Sequence, residues 1–268
     1  MPFNPHLYRY PSRRSAVYAA GGVWATPALA DGFGGRSVEK RVFLIVHGFA
    51  GSLRETGPLE EFLRIKGFDT YAPLLSGHGK GKKELGGASH RDWLKDVERA
   101  YDKLSAEYET ITLIGFSMGG LLCANIADRP KVDSVVFINT PVYVWNLRVI
   151  AGDVFSALSG GGWGKITGYY GRALTGASLK SGVDFLGLLT KAGALLRRVS
   201  KPALILQCVN DETVWPESAL YIKRKLSGPA KLKFYNGGCH QVLFDARLKN
   251  RVIRDIYKFI GNHNQKLI

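Results

Sequence analysis

From Arg41 onward, short apolar runs of strand length alternate with longer stretches whose apolar residues recur at helical spacing. Val42-Phe-Leu-Ile-Val46 is apolar at every position, the pattern of a parallel strand covered on both faces. Residues 59–66 read as a helix closed by Gly67, residues 68–72 as a short strand, and residues 73–81 as a turn-rich loop. Within 93–108, Trp93, Leu94, Val97, Ala100, Tyr101 and Leu104 lie at helical intervals. Strands are expected at 111–114 and 135–138 around a helix at 118–128, and again at 203–209 and 231–235 around a helix at 217–226. A final amphipathic helix spans 246–262.

Such alternation predicts an α/β fold, a mostly parallel sheet with helices on both faces. It stops between residues 141 and 198, where glycines are frequent among apolar helical stretches such as 183–196. A long strandless segment inside a compact α/β domain is best read as an insertion with its own helices. The expected organisation is therefore an irregular N-terminal extension (1–40), a core formed by 41–140 and 199–268, and a small helical cap inserted at 141–198.

Composition narrows the class. With 46% hydrophobic residues over 268 positions, the chain can bury a sizeable core. No apolar stretch approaches the roughly 20 residues a helix needs to cross a bilayer, so a soluble protein is expected. Cys123, Cys208 and Cys239 give neither a disulfide framework nor a zinc-ligand spacing, which suits a reducing cytoplasm. Arg13-Arg14 and the apolar run at 16–30 offer an export signal within residues 12–30, but Gly21, Gly22 and Pro27 interrupt it. The expectation is a cytoplasmic protein.

The net charge of +15 invites a nucleic-acid reading that its distribution does not support. Residues 42–190 hold 16 Lys/Arg against 15 Asp/Glu, whereas residues 191–268 hold 15 against 5. No recognition motif accompanies the basic residues, so no nucleic-acid partner is expected. A basic face that favours anionic lipid surfaces or acidic substrates remains. Oligomeric state has no signal in the sequence.

The strongest chemical signal is Gly115-Phe116-Ser117-Met118-Gly119, placed between an apolar strand and a helix. That setting is what a Gly-x-Ser-x-Gly elbow requires: the serine occupies a strained turn, and its neighbours must be small to avoid the adjoining strand and helix. A serine hydroxyl needs a base within hydrogen-bond reach and a third group to orient that base. In this arrangement an acid and then a histidine follow the nucleophile along the chain. Asn210-Asp211-Glu212 follows one strand and Gly237-Gly238-Cys239-His240 the next, both at strand carboxyl ends where open α/β sheets bind ligands. Asp211 is the first acid beyond its strand, with Glu212 as the alternative, and His240 is the candidate base.

Two backbone amides must meet the developing oxyanion. Met118, after the nucleophile, supplies one; Phe49, in the loop His47-Gly48-Phe49-Ala50-Gly51, is the candidate for the other, with Gly48 allowing close approach. His47 and His78 are expected to order their loops, and His6, His90 and His263 to be solvated. Phe49, Met118, Trp145, Val214 and Leu243 form the expected apolar pocket.

These stretches, with Pro73-Leu-Leu-Ser-Gly-His-Gly79, Asp92-Trp93, Asp211-Glu-Thr-Val-Trp-Pro-Glu-Ser-Ala219 and His240-Gln-Val-Leu-Phe-Asp245, resemble an α/β-hydrolase of the bacterial carboxylesterase and monoacylglycerol lipase group. The resemblance covers residues 42 to about 262 and implies a cap after the sixth strand of the family's sheet. It also implies a triad of Ser117, Asp211 and His240, no metal or organic cofactor, and a small-molecule ester as substrate. A thioesterase or amidase would use the same triad, and a catalytically silent binding protein could share the fold. The divergent cap and residues 1–40 depart from the family pattern and leave the choice of ester open.

Overall fold

The computed structural model describes residues 40–144 and 178–264. Six strands form one sheet: β1 (Arg41–Val46), β2 (Asp69–Tyr71), β3 (Thr110–Phe116), β4 (Val132–Ile138), β5 (Ala203–Cys208) and β6 (Ala230–Tyr235). Their order is β2-β1-β3-β4-β5-β6, every pair parallel. The order reverses direction at β1 and β3, so the carboxyl ends of these central strands open on a common crevice.

Side chains alternate across each strand, which divides the continuous apolar runs between two cores. Val42, Leu44 and Val46 of β1 join Leu113 of β3 and Phe137 of β4 on one face; Phe43, Ile45, Phe116 and Ile138 lie on the other. The first face is covered by α3 (His90–Glu107) and α4 (Met118–Asn125), joined by Leu188 of α5 (Leu179–Thr190) and Leu195 and Leu196 of α6 (Ala192–Arg197), and by Ile222 of α7 (Glu217–Lys225). The second is covered by α1 (Gly57–Ile65) through Leu59 and Leu63 and by α8 (Lys249–Asn264) through Val252, Ile256 and Ile260. A short α2 spans Lys82–Gly87. No described helix is long and apolar enough to cross a membrane.

The expected elements are present with shifted ends. Helix α3 starts three residues before the expected position because Ser89 caps it: its hydroxyl accepts from Asp92 N, and the Asp92 carboxylate accepts from Ser89 N at 2.9 Å. Such a capping box contributes about 1 kcal/mol. Asp245 delays α8 to Lys249 by accepting from the amides of Arg247 and Leu248 at 2.8 and 2.9 Å. The helical stretch expected at 183–196 falls on two helices that break at Lys191, and Leu188, Leu195 and Leu196 all reach the first core.

Among the described strands it is β4, the fourth, that precedes the segment expected as a cap; the sixth-strand position is the family's count. The described end of that segment, 178–198, packs into the main core. Residues 145–177 of it, with Trp145, lie outside the described residues, as do residues 1–39 of the extension with the export stretch at 12–30.

Candidate active site

Ser117 follows the last residue of β3 and caps α4 with φ 52° and ψ −126°, in the left-handed half of backbone space. A side chain other than glycine held there costs about 1–3 kcal/mol, so its surroundings must enforce it. They do so through contacts that only glycine allows. A Cβ on Gly115 would lie 2.3 Å from Gly120 N, one on Gly119 2.1 Å from Val46 O, and one on Gly120 2.1 Å from Thr140 Oγ1. The turn is therefore clasped between the ends of β1 and β4, and Ser117 N is itself held by Ile138 O at 2.8 Å.

His240 Nε2 lies 3.0 Å from Ser117 Oγ, and His240 Nδ1 lies 2.9 Å from Asp211 Oδ2. Asp211 is fully buried, and its other oxygen accepts from Thr213 N and Val214 N, each at 2.8 Å, which fixes the carboxylate plane. Glu212 takes a different place: its carboxylate accepts the main-chain N–H of His240 at 3.0 Å and leaves the ring to Asp211. The Phe116 ring lies 5.2 Å from that of His240.

The loop after β1 lies over this line. A Cβ on Gly48 would be 3.1 Å from Ser117 Cβ, so the backbone approaches the serine as closely as glycine allows. Gly48 O accepts from His47 Nδ1 at 2.9 Å, while His47 Nε2 accepts from Leu75 N at 3.2 Å. Those two bonds require the neutral tautomer with hydrogen on Nδ1. Burial, with His78 beside it, pushes the His47 pKa down to about 3, which keeps that tautomer. Since the peptide is planar and trans, pinning Gly48 O on one side turns the Phe49 N–H to the other. Neither the Phe49 nor the Met118 amide meets an acceptor among the described residues.

Residues 41–154 match the family described as alpha/beta hydrolase fold. A carboxylesterase of Bacillus subtilis (strain 168) is 25% identical over 229 residues, 82% of this chain and 92% of that protein. A thermostable monoacylglycerol lipase of Bacillus sp. (strain H-257) is 30% identical over 202 residues, 70% of this chain and 77% of the lipase. The chain belongs to the α/β-hydrolase family. Solved structures agree on the fold of this α/β-hydrolase: one from a study of the metagenome-derived lipolytic enzymes LipS and LipT has a TM-score of 0.70 at 23% identity, covering 84% of this chain and 95% of that one. The Paleococcus ferrophilus monoacylglycerol lipase has a TM-score of 0.69 at 21% identity, covering 91% and 98%. The protein is a hydrolase of the carboxylesterase and lipase type.

The electrostatics of the hydrolase site centre on His240. Burial alone would lower its pKa, but the Asp211 carboxylate, with Glu212 and Glu55 beyond it, outweighs that cost and holds it above the usual imidazole range. Burial raises the Glu212 carboxyl. Among the described residues no group of acidic, histidine or cysteine side chains has an arrangement that could hold a metal ion.

Of the residues expected to line a pocket, Phe49 is part-buried and stacks on Phe185 of α5 with ring centroids 4.8 Å apart, with Trp93 at 5.8 Å. Met118, Val214 and Leu243 are buried: Met118 lies in the first core and Leu243 in the second, and Val214 forms a bridge to Val144 behind Asp211. Phe185 was not anticipated, because a pattern inside an insertion says nothing of what it covers. His90 is also corrected. Instead of being solvated it is part-buried, with Nδ1 3.2 Å from Asp184 of α5, and so ties α5 to the start of α3. His78 is buried as expected of a loop-ordering residue, with Nδ1 3.1 Å from Ser76 O.

Asn139 is the main positioning residue that sequence reasoning missed. At φ 46° just beyond β4, its Nδ2 donates to His240 O at 2.8 Å and its Oδ1 accepts from Cys208 N at 2.9 Å. One side chain thus ties the histidine loop to the end of β5, just before Asp211. An asparagine after an apolar strand, able to adopt the left-handed conformation, was the available signal.

Proposed function

We propose that the protein is a serine ester hydrolase in which Ser117 is the nucleophile, His240 the general base and Asp211 the residue that orients and stabilises the imidazolium. The hydrogen-bonded line from Ser117 Oγ through His240 to Asp211 carries this reading. His240 Nε2 takes the hydroxyl proton as Oγ attacks the ester carbonyl carbon. The oxyanion is met by the amides of Phe49 and Met118, each such donor being worth about 3 kcal/mol in the transition state. Collapse breaks the bond to the alkoxy oxygen, which leaves as the alcohol with the proton from His240. Water activated by the same nitrogen then cleaves the acyl-enzyme and frees the acid. No metal or organic cofactor takes part.

The substrate class is a short to medium acyl ester or a monoacylglycerol, a reading supported by the part-buried Phe49 and Phe185 rings stacked beside the loop after β1 and by the names of the two bacterial relatives. The decisive assay is a chain-length series of p-nitrophenyl esters and monoacylglycerols with Ser117→Ala as control. Turnover should vanish in the variant while its melting temperature stays near that of the parent, and retained turnover would remove the assignment. Preference for a thioester or an amide over the matched ester would replace the substrate class and leave the triad standing.

The basic face is proposed as a site of peripheral contact with anionic lipid. It is supported by a groove of about 410 Å³ along β6, the last strand of the sheet among the described residues, lined by Lys223 of α7, Lys231 and Lys233 of β6, and Lys258 of α8. Lys233 is paired with Asp255 at 2.6 Å; the other three have no acidic partner among the described residues.

A further inference from the structure

Two loops must keep a fixed relation to Ser117: the one after β1 that carries the Phe49 amide, and the one after β6 that carries His240. Their strands are separated in the sheet by β3, β4 and β5, so no ladder hydrogen bond joins them. Among the described residues, the only hydrogen bond between the two loop regions runs through Glu55, in the 3-10 turn Leu53–Glu55.

The Glu55 carboxylate turns back into the loop. Its Oε2 accepts from Gly48 N at 3.0 Å, and its Oε1 accepts from the side-chain amide of Gln241 at 2.8 Å. Gln241 is the residue after His240. The backbone is wrapped closely around this acid: a Cβ on Gly51 would lie 2.0 Å from Oε2, and one on Gly48 3.2 Å from it. With Gly48 N held by Glu55 and Gly48 O by His47, the peptide units on both sides of Gly48 are fixed, and with them the direction of the Phe49 N–H. Burial pushes the Glu55 carboxyl above its usual range, against the hydrogen bonds from Gln241 and Gly48 and the nearby His240. A half-buried acid that takes no part in attack, proton transfer or leaving-group departure needs another reason to be there.

We infer that Glu55, linked through Gln241, is a positioning residue for ester hydrolysis, locking the oxyanion loop to the histidine loop so that the Phe49 amide and His240 Nε2 are aligned together on Ser117. The inference rests on the triad reading above. It differs from a merely structural role in what it moves: the loss should fall on kcat, because an amide displaced by a fraction of an ångström weakens the transition state more than the bound ester. Glu55 also faces His240 together with Asp211 and Glu212, so its charge favours the imidazolium.

The test compares Glu55→Ala, Glu55→Gln, Gln241→Ala and the double alanine variant in p-nitrophenyl ester hydrolysis from pH 5 to 9, with thermal melts and fluorophosphonate labelling of each protein. Glu55→Ala should lower plateau kcat by about 10-fold or more with KM within about twofold. Gln241→Ala should lose less, and the double variant less than the product of the two losses. Glu55→Gln, whose amide oxygen can still accept from Gly48, should recover most of the plateau, with its acid limb moved to lower pH. An unchanged plateau in Glu55→Ala, or losses that multiply, would overturn the inference. If Glu55→Ala does not fold, the glutamine variant and Gln241→Ala decide, and unchanged plateaus and acid limbs in both would overturn it. A parent protein that neither labels at Ser117 nor hydrolyses esters would instead defeat the triad reading.

Discussion

If His240 is the general base, as proposed, this buried imidazole should set the hydrolase's response to pH. The form of His240 that can accept the Ser117 proton is the neutral one, and its carboxylate neighbours raise the pH at which that form appears. The sign follows: kcat/KM should fall as pH drops, with a midpoint above the ordinary imidazole value of 6.5, and a midpoint below it would contradict the geometry. The same residues separate two acids that lie side by side in the chain. Asp211→Ala should lower kcat by about 10⁴-fold, as loss of the orienting acid does elsewhere. Glu212→Gln should cost far less, since that side chain meets only the main chain of His240. Steady-state kinetics on the two variants check this, and the reverse ranking would exchange their roles. Position after the strand had favoured Asp211, with Glu212 as the alternative; in the structure the Asp211 carboxylate reaches the ring, held by the Thr213 and Val214 amides.

At the scale of elements, the strands were legible from apolar runs and the helices from their periodicity, because both patterns record which faces are buried. Their ends were not, since caps are single hydrogen bonds: Ser89 and Asp245 moved two helix starts by three residues each. The elbow was legible because its Gly-x-Ser-x-Gly pattern is contiguous between an apolar strand and a helix, although Gly119 and Gly120 answer to Val46 and Thr140 from other parts of the chain. The Asn139 bridge was not, because its partners are 69 and 101 positions away. Asn139→Ala leaves the buried Cys208 N–H and the His240 carbonyl without this partner, which should destabilise the fold by about 1–3 kcal/mol. It should also lower kcat more than it raises KM. Urea denaturation and ester kinetics on the same preparation measure both, and a variant with full kcat would show that the bridge serves stability alone.

Across the whole molecule, the excess of basic residues in the last third of the chain acquires a location. Helix α7 belongs to one face of the sheet and α8 to the other, and both flank β6, so lysines from three elements meet along one edge. Lysines on an edge strand, as β6 is among the described residues, also discourage pairing with another chain. If the edge contacts lipid, the protein should sediment with vesicles containing anionic lipid and not with neutral ones, and binding should weaken as salt shortens the roughly 8 Å screening length of physiological buffer. A Lys223→Glu, Lys231→Glu, Lys258→Glu triple variant should lose that binding with its hydrolysis of soluble esters unchanged. Equal sedimentation with both vesicle types would remove the contact.

The sequence by itself determined the alternation of strands and helices, the serine flanked by small neighbours, and the order of serine, acid and histidine, because each is written in the chain as a contiguous pattern, an order of residues or the faces an element must bury. Only the tertiary structure decided how Asp211 and Glu212 divide between the ring and the main chain of His240, what Phe185 covers, and that Glu55 and Gln241 join loops 186 positions apart. Those are meetings of groups from separate loops and helices, and they exist only once the sheet order has brought the strand ends together.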